Sequence, residues 1–267
     1  MDPVITPDYL ATREVIADPY PAYRQLRDRS PFNYVFLPAG TVPSVEQPIR
    51  SWALMKYQDV YNVLRDHEHF SSKRNPQVVG IAPPLVLISD DPPRHSRFRR
   101  LVNKTFTLKR IEALTPWITS VADELLDEAG RGDIEIVERY TIPLPVKVIA
   151  RLLGIPGDDY EIFKHWSDAF LSLASLENEQ RMASIQEMMG YFGKIAAARR
   201  ALGAEDLITA LVEAEVDGEK LEEWEILGFC MLLLIAGNET TTNLMGNMFN
   251  LLASRPQLWS NCATIVA

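Results

Sequence analysis

Apolar residues recur at helical spacing over most of the chain beyond position 90. Residues 92–104, 108–129, 139–153, 158–176 and 178–202 each place them at i, i+3 and i+4 intervals, which predicts amphipathic helices. Gly130, Gly154, Gly157 and Gly203 supply the stops, and Pro116 must kink or cap the second helix. Residues 206–214 predict a shorter helix, and Val216-Asp217-Gly218-Glu219 a tight turn. Near the N-terminus, Asp18-Pro19 reads as an N-cap followed by proline at the first helical position, opening a helix to about Asp28. Residues 32–37 and 51–55 predict two short strands around a proline-rich turn, and residues 57–67 a short amphipathic helix. The proline-rich stretch 71–93 has no period and predicts a long loop, and loops of that length in a compact domain usually serve function. The expected class is mainly α with a small β-sheet near the N-terminus.

The last large element is the most informative. Residues 222–254 run as one helix of about 33 residues, some 50 Å at 1.5 Å per residue, and stop at Pro256. Its centre is apolar on every side, which predicts burial in a larger body. Its apolar run, residues 226–237, falls well short of the about 20 residues that a membrane span needs, so the expectation is a buried helix in a soluble, cytoplasmic protein with no membrane partner.

Composition narrows the function classes. At 267 residues the chain has room for one large domain or two small ones. The 27 Lys and Arg against 36 Asp and Glu leave a net charge of −9, which argues against nucleic-acid binding. The two cysteines, Cys230 and Cys262, form no CxxC pair and no zinc-type spacing, and Cys230 reads as a small core residue.

Two constellations carry candidate chemistry. In Asp90-Asp91-Pro92-Pro93-Arg94-His95-Ser96-Arg97-Phe98-Arg99-Arg100, carboxylates and prolines open a helix whose next turn and a half is crowded with basic groups. His95 and Arg99 lie four apart and share a face, where like charges repel unless an anionic partner reverses the sign. Carboxylates suit that role, because an arginine fork binds them through charge-assisted bonds. The bland alternative is a solvated basic face. In Leu232 to Asn243, LLLIAGNETTTN, the acid Glu239 and three threonines interrupt the apolar helix. Burying a carboxylate there is costly without a partner. Gly237 weakens the helix by about 1 kcal/mol relative to alanine. The Thr240 hydroxyl can bond the Ala236 carbonyl and bend the helix. Glycine, hydroxyl and acid together suggest a groove where a small ligand meets an acid–alcohol proton relay; the alternative is a polar face turned to solvent. His67-Glu68-His69 reads as the polar end of a helix, since i and i+2 do not share a face.

Together the two constellations resemble the cytochrome P450 family of heme-thiolate monooxygenases, in its soluble bacterial form. DPPRHSRFRRLVNKTFT is similar to the family's HxxxR helix and LLLIAGNETTTN to its AGx(D/E)T helix, about 140 residues apart. The resemblance covers residues 18–259 and implies that residues 1–267 are the N-terminal two-thirds of one P450 domain, helices A to I. It implies heme b (iron protoporphyrin IX), with His95 and Arg99 on the propionates and Ala236 and Gly237 against the distal face. Glu239 and Thr240 would be the catalytic acid and alcohol. Residues 71–87 and 158–202 would line and lid the substrate pocket, and Thr241 and Thr242 receive no role. It also implies a small hydrophobic substrate, O2 and a ferredoxin-type electron donor. The family's axial cysteine loop and ExxR helix have no match here, and Cys230 lies too close to Ala236 on the same helix to replace that ligand. The expectation is therefore a fold lacking its C-terminal third, a truncated and catalytically incomplete monooxygenase with no metal ligand of its own and an apolar underside of the long helix left open. The alternatives are a non-catalytic, ligand- or partner-binding descendant of that fold, and an unrelated helical hydrolase or lyase using Glu239 as base.

Overall fold

The computed structural model describes residues 12–37, 47, 49–73, 86–156, 159–171 and 178–259. It divides into two compact units, Met1–His95 and Ser96–Ala267.

The first unit holds α1 (Arg13–Ala17), α2 (Tyr20–Arg29), β1 (Phe32–Leu37), β2 (Ile49–Ala53) and α3 (Tyr57–Arg65). The carboxylate of Asp18 accepts the Tyr20 amide at 3.3 Å, the expected start of α2, and Ala22 and Leu26 bury that helix's inner face. β1 and β2 pair antiparallel from Phe32↔Ala53 to Leu37↔Ile49, with an irregularity between Val35 and Leu37. β2 begins two residues earlier than residues 51–55 suggest, because Ile49 is its buried anchor. Further on, Asp91 accepts the Ser71 hydroxyl at 2.5 Å and the Ser72 amide at 2.7 Å. This ties together the flanks of a segment whose centre, residues 74–85, lies outside the described residues.

α4 (Arg94–Thr105) begins at the end of the first unit and runs into the second. There follow α5 (Leu108–Glu112), α6 (Thr115–Ala129), a π-helical turn (Val137–Thr141), α7 (Pro143–Leu153), α8 (Tyr160–Leu171), α9 (Asn178–Leu202), α10 (Leu207–Glu213), the hairpin β3 (Glu215–Val216) and β4 (Glu219–Lys220), and α11 (Glu223–Ser254). The one helix expected over 108–129 is two. Pro116 has no amide to continue α5 and instead sits in the first turn of α6. The helix expected over 139–153 is likewise divided. Pro143 and Pro145 remove two amides from the i→i+4 ladder, and the preceding turn closes at i+5, with Ile142 N donating to the Val137 carbonyl at 2.9 Å.

α11 is the axis of this unit and packs against α7, α8, α9, α10 and the π-helical turn. Phe163 and Trp166 on α8 meet Tyr191 and Phe192 on α9 edge to face, at centroid distances of 5.2 to 5.7 Å for the closest pairs. Leu153, Leu211 and Leu234 are fully buried as well. Arg199 on α9 fastens the end of α7 to α10: its Nη2 donates to the Gly154 carbonyl at 3.0 Å and its Nε at 2.5 Å to Asp206, which caps α10 on Thr209 N at 2.8 Å. Gly154 makes room for this: its φ is +74°, and a Cβ there would lie 2.1 Å from Asp206 Oδ2. Among the described residues, no helix is long and apolar enough to cross a membrane.

Candidate functional site

α11 starts on a reciprocal cap: Glu222 and Glu225 each accept from the other's backbone amide. Glu225 through Leu232 are buried on all sides, as are Leu234, Ile235 and Asn238. The burial expected along the whole centre ends there. Ala236, Glu239, Thr240 and Thr241 are exposed, and Gly237 is half-buried. Glu239 is thus not a carboxylate among leucines: the polar side of this stretch faces out, so no desolvation cost arises. Thr240 Oγ1 donates to the Ala236 carbonyl at 2.7 Å, the back-bond its spacing suggests.

Gly237 points elsewhere. A Cβ at that position would lie 2.6 Å from Ile149 Cδ1, so the glycine faces α7 at a close approach of the two helices. The structure therefore brings Ala236, Glu239 and Thr240 to one open side and places Gly237 toward α7. Thr242, which the sequence left without a role, donates its hydroxyl to the Thr141 carbonyl at 2.9 Å. The amide four residues past Thr141 belongs to Pro145, so that carbonyl has no ordinary helical donor.

On α4 the basic groups divide into two sets. Arg94 pairs with Asp90 at 3.3 Å, and Arg100 reaches Asp217 at 3.8 Å across an exposed gap. Arg97 is the most engaged. Its Nε donates to Glu219 at 2.5 Å, its Nη1 to both oxygens of Glu225 at 3.1 and 3.3 Å, and its Nη2 to the Lys220 carbonyl at 2.7 Å. Burial alone pushes its guanidinium down; the carboxylates of Glu219 and Glu225 outweigh that and hold it above its ordinary value. His95 is half-buried and Arg99 exposed, and neither side chain has a hydrogen bond or ion pair among the described residues. These are the two groups whose spacing calls for an anionic partner.

Cys230 is fully buried within α11, and burial, with Asp206 nearby, pushes its thiol far above its usual range. It offers no thiolate to a ligand. Cys262 lies outside the described residues, as does the centre of the 71–87 loop. Among the described residues no cluster of His, Cys, Asp and Glu could hold a metal ion. In 67–69, His69 Nδ1 is occupied by Asp66 at 2.8 Å. A cleft of about 710 Å³, with Phe106, Arg110, Leu114 and Arg151 among its walls, touches none of the six candidate residues.

The Arg97 network and Thr242 are the parts that sequence reasoning missed. Nothing local in the sequence signals that Glu225 receives an arginine 128 residues earlier.

No protein-family model matches the chain. Among curated proteins it is 39% identical over 239 residues to cytochrome P450 109 of Bacillus spizizenii, covering 86% of this chain and 55% of that protein. It is 34% identical over 252 residues to the cytochrome P450 monooxygenase PikC of Streptomyces venezuelae, covering 91% and 58%. Among solved structures, cytochrome P450 CYP109Q5 from Chondromyces apiculatus superposes with a TM-score of 0.76 at 33% identity, over 98% of this chain and 64% of that one. The chain thus spans somewhat more than half the length of the curated relatives it matches. Its helical fold with small antiparallel sheets is theirs, and by both sequence and structure the chain belongs to the cytochrome P450 family.

Proposed function

We propose that this chain supplies the propionate clamp and the oxygen-facing side of a heme monooxygenase site. The observation that carries this is the division of charges on α4. Three arginines are held by carboxylates of the chain, whereas His95 and Arg99, one turn apart, have no partner among the described residues. Two cationic or hydrogen-bonding donors on one helical face suit the two carboxylates on one edge of heme b. The open side of α11 fits the same group: Ala236 is small, and Gly237 lets the helix settle against α7 without a side chain in the way.

The chemistry that bound heme supplies is insertion of one atom of O2 into a small hydrophobic organic substrate, the other becoming water with electrons from a ferredoxin-type donor. The protein's residues bind, orient and move protons. His95 and Arg99 hold the propionates. The Thr240 proton is engaged by the Ala236 carbonyl, which leaves the hydroxyl's lone pairs turned outward as acceptors. Glu239 is exposed on the same side, so that its carboxylate and the Thr240 hydroxyl together offer an acid–alcohol pair to a group bound there. The relatives' names support this reading, one being called a monooxygenase. A cytoplasmic location belongs to the same reading. No axial ligand is assigned, since Cys230 is sealed in the core.

Titration of the expressed chain with hemin, followed by reduction under carbon monoxide, tests the proposal. The expected result is stoichiometric uptake that weakens at least tenfold in His95→Ala/Arg99→Ala. Absence of uptake, or uptake indifferent to that double substitution, overturns it. The position of the Soret band then reports the axial ligand independently of the clamp.

A further inference from the structure

We propose that Arg97 is the positioning residue of the propionate clamp: by locking the roll of α4 against the start of α11, it fixes the direction in which Arg99 presents its guanidinium. The inference rests on the heme reading above and assigns a task to a residue outside it.

Arg97 uses all three guanidinium nitrogens on the segment that leads into α11, meeting Glu219 and the Lys220 carbonyl on β4 and Glu225 on α11. The Glu225 carboxylate is 5% exposed and already accepts the Glu222 amide at 3.0 Å, so it is fixed from two directions. A planar fork spread over three acceptors, one of them the buried Glu225 carboxylate, has few ways to sit, and lysine cannot reproduce it. The next residue, Phe98, is 1% exposed and packs edge-on against Phe229 at 6.0 Å, one turn along α11 from Glu225. Nearly two turns further on α4, Lys104 Nζ donates to the Glu215 carbonyl at 2.7 Å. Arg97 and Phe98 thus match two neighbouring positions of α4 to two positions of α11 one turn apart, which leaves no freedom of rotation about the axis of α4. Arg99 follows 100° round from Phe98, and the locked roll turns it away from α11 into the open.

The test compares two probes, hemin and hemin dimethyl ester, which differ only in whether the propionates can take a cation. Binding is followed by quenching of tryptophan fluorescence in the full chain and in Arg97→Lys, Arg97→Gln and Arg99→Gln. The wild-type chain is expected to prefer hemin over the ester by about tenfold or more, the equivalent of one charge-assisted hydrogen bond. Arg99→Gln removes most of that preference. Arg97→Gln removes as much although Arg97 is not on the clamp, and Arg97→Lys, which keeps the charge but not the fork, restores only part of it. A purely stabilising Arg97 would weaken both probes together and leave their ratio unchanged, and that result overturns the proposal. If the wild-type chain shows no preference, the clamp reading itself fails; if it shows one that Arg97→Gln retains, the clamp stands and the positioning role falls.

Discussion

Thr240, Thr241 and Thr242 follow one another on α11 in different surroundings, and substitution should separate them. Thr242 supplies the donor that Pro145 withholds from the Thr141 carbonyl. Thr242→Val is therefore expected to cost about 1–2 kcal/mol in urea unfolding, the penalty of a buried carbonyl left unmatched. Thr241→Val, at an exposed site, should stay within about 0.5 kcal/mol of the wild type. Gly154→Ala should be worse than either, because it combines a left-handed backbone with a Cβ 2.1 Å from Asp206 Oδ2; a loss of about 2–4 kcal/mol is expected in the same measurement. Cys230 should not react with a thiol reagent in the folded Cys262→Ser variant and should react at once in denaturant, since burial disfavours its thiolate. At this scale the sequence was readable where a residue's partner is close along the chain. The Thr240 back-bond and the Asp18 bond to the Tyr20 amide follow from spacings of two to four. It was unreadable where the partner is remote, as for Thr242 with Thr141 or Gly237 with Ile149, and the exposure of Glu239 depends on which side of α11 its neighbours cover.

Among elements, the approach to α4 carries a pH dependence. The Ser71 hydroxyl, then the Ser72 amide, hold the Asp91 carboxyl below its ordinary value. A carboxyl whose folded value is depressed stabilises the fold above its unfolded value, near 3.9, and loses that contribution as the pH falls through the lower folded value. Protection of the Ser72 amide, corrected for intrinsic exchange, should therefore persist at pH 5 and fade below about pH 4, and Asp91→Asn should remove the pH dependence. Helix positions were largely legible because the apolar period is strong: α9 occupies 178–202 as expected, and α11 begins one residue after its expected start. The misjudged joints are proline joints. A lone Pro116 permits a kink or a new start, and only packing decides; here a new helix starts. Two prolines at 143 and 145 change the hydrogen-bond step of the turn before them, which a periodicity count does not register.

For the molecule as a whole, the apolar row on the outer half of α11 has a measurable consequence. Leu244 is 71% exposed, and Met248 and Leu251 are each 44% exposed, at spacings that put them on one face. Contiguous apolar surface of this kind associates, so sedimentation velocity should show concentration-dependent self-association that Leu244→Lys/Leu251→Lys reduces. The class of fold was legible because two motifs about 140 residues apart agree on one family, and homologous sequences and folds support it. What the acid, hydroxyl and cations do was not legible in the same way, since Glu239, Thr240 and Arg99 are exposed and the chain's own packing assigns them no task.

The close approach of α11 to α7 has a consequence for anyone rebuilding this helix. The Ile149 Cδ1 methyl leaves room for a hydrogen at position 237 and would have to swing aside for a carbon, so the contact works as a pin that favours one angular position of the helix. Inserting one residue between 237 and 240 while the pin holds would swing Thr240 by about 100° off the outward side. Inserting one before 237 would shift the buried leucines instead. Length changes here should be tolerated only in steps of three or four, even though the residue that imposes the rule faces away from any ligand.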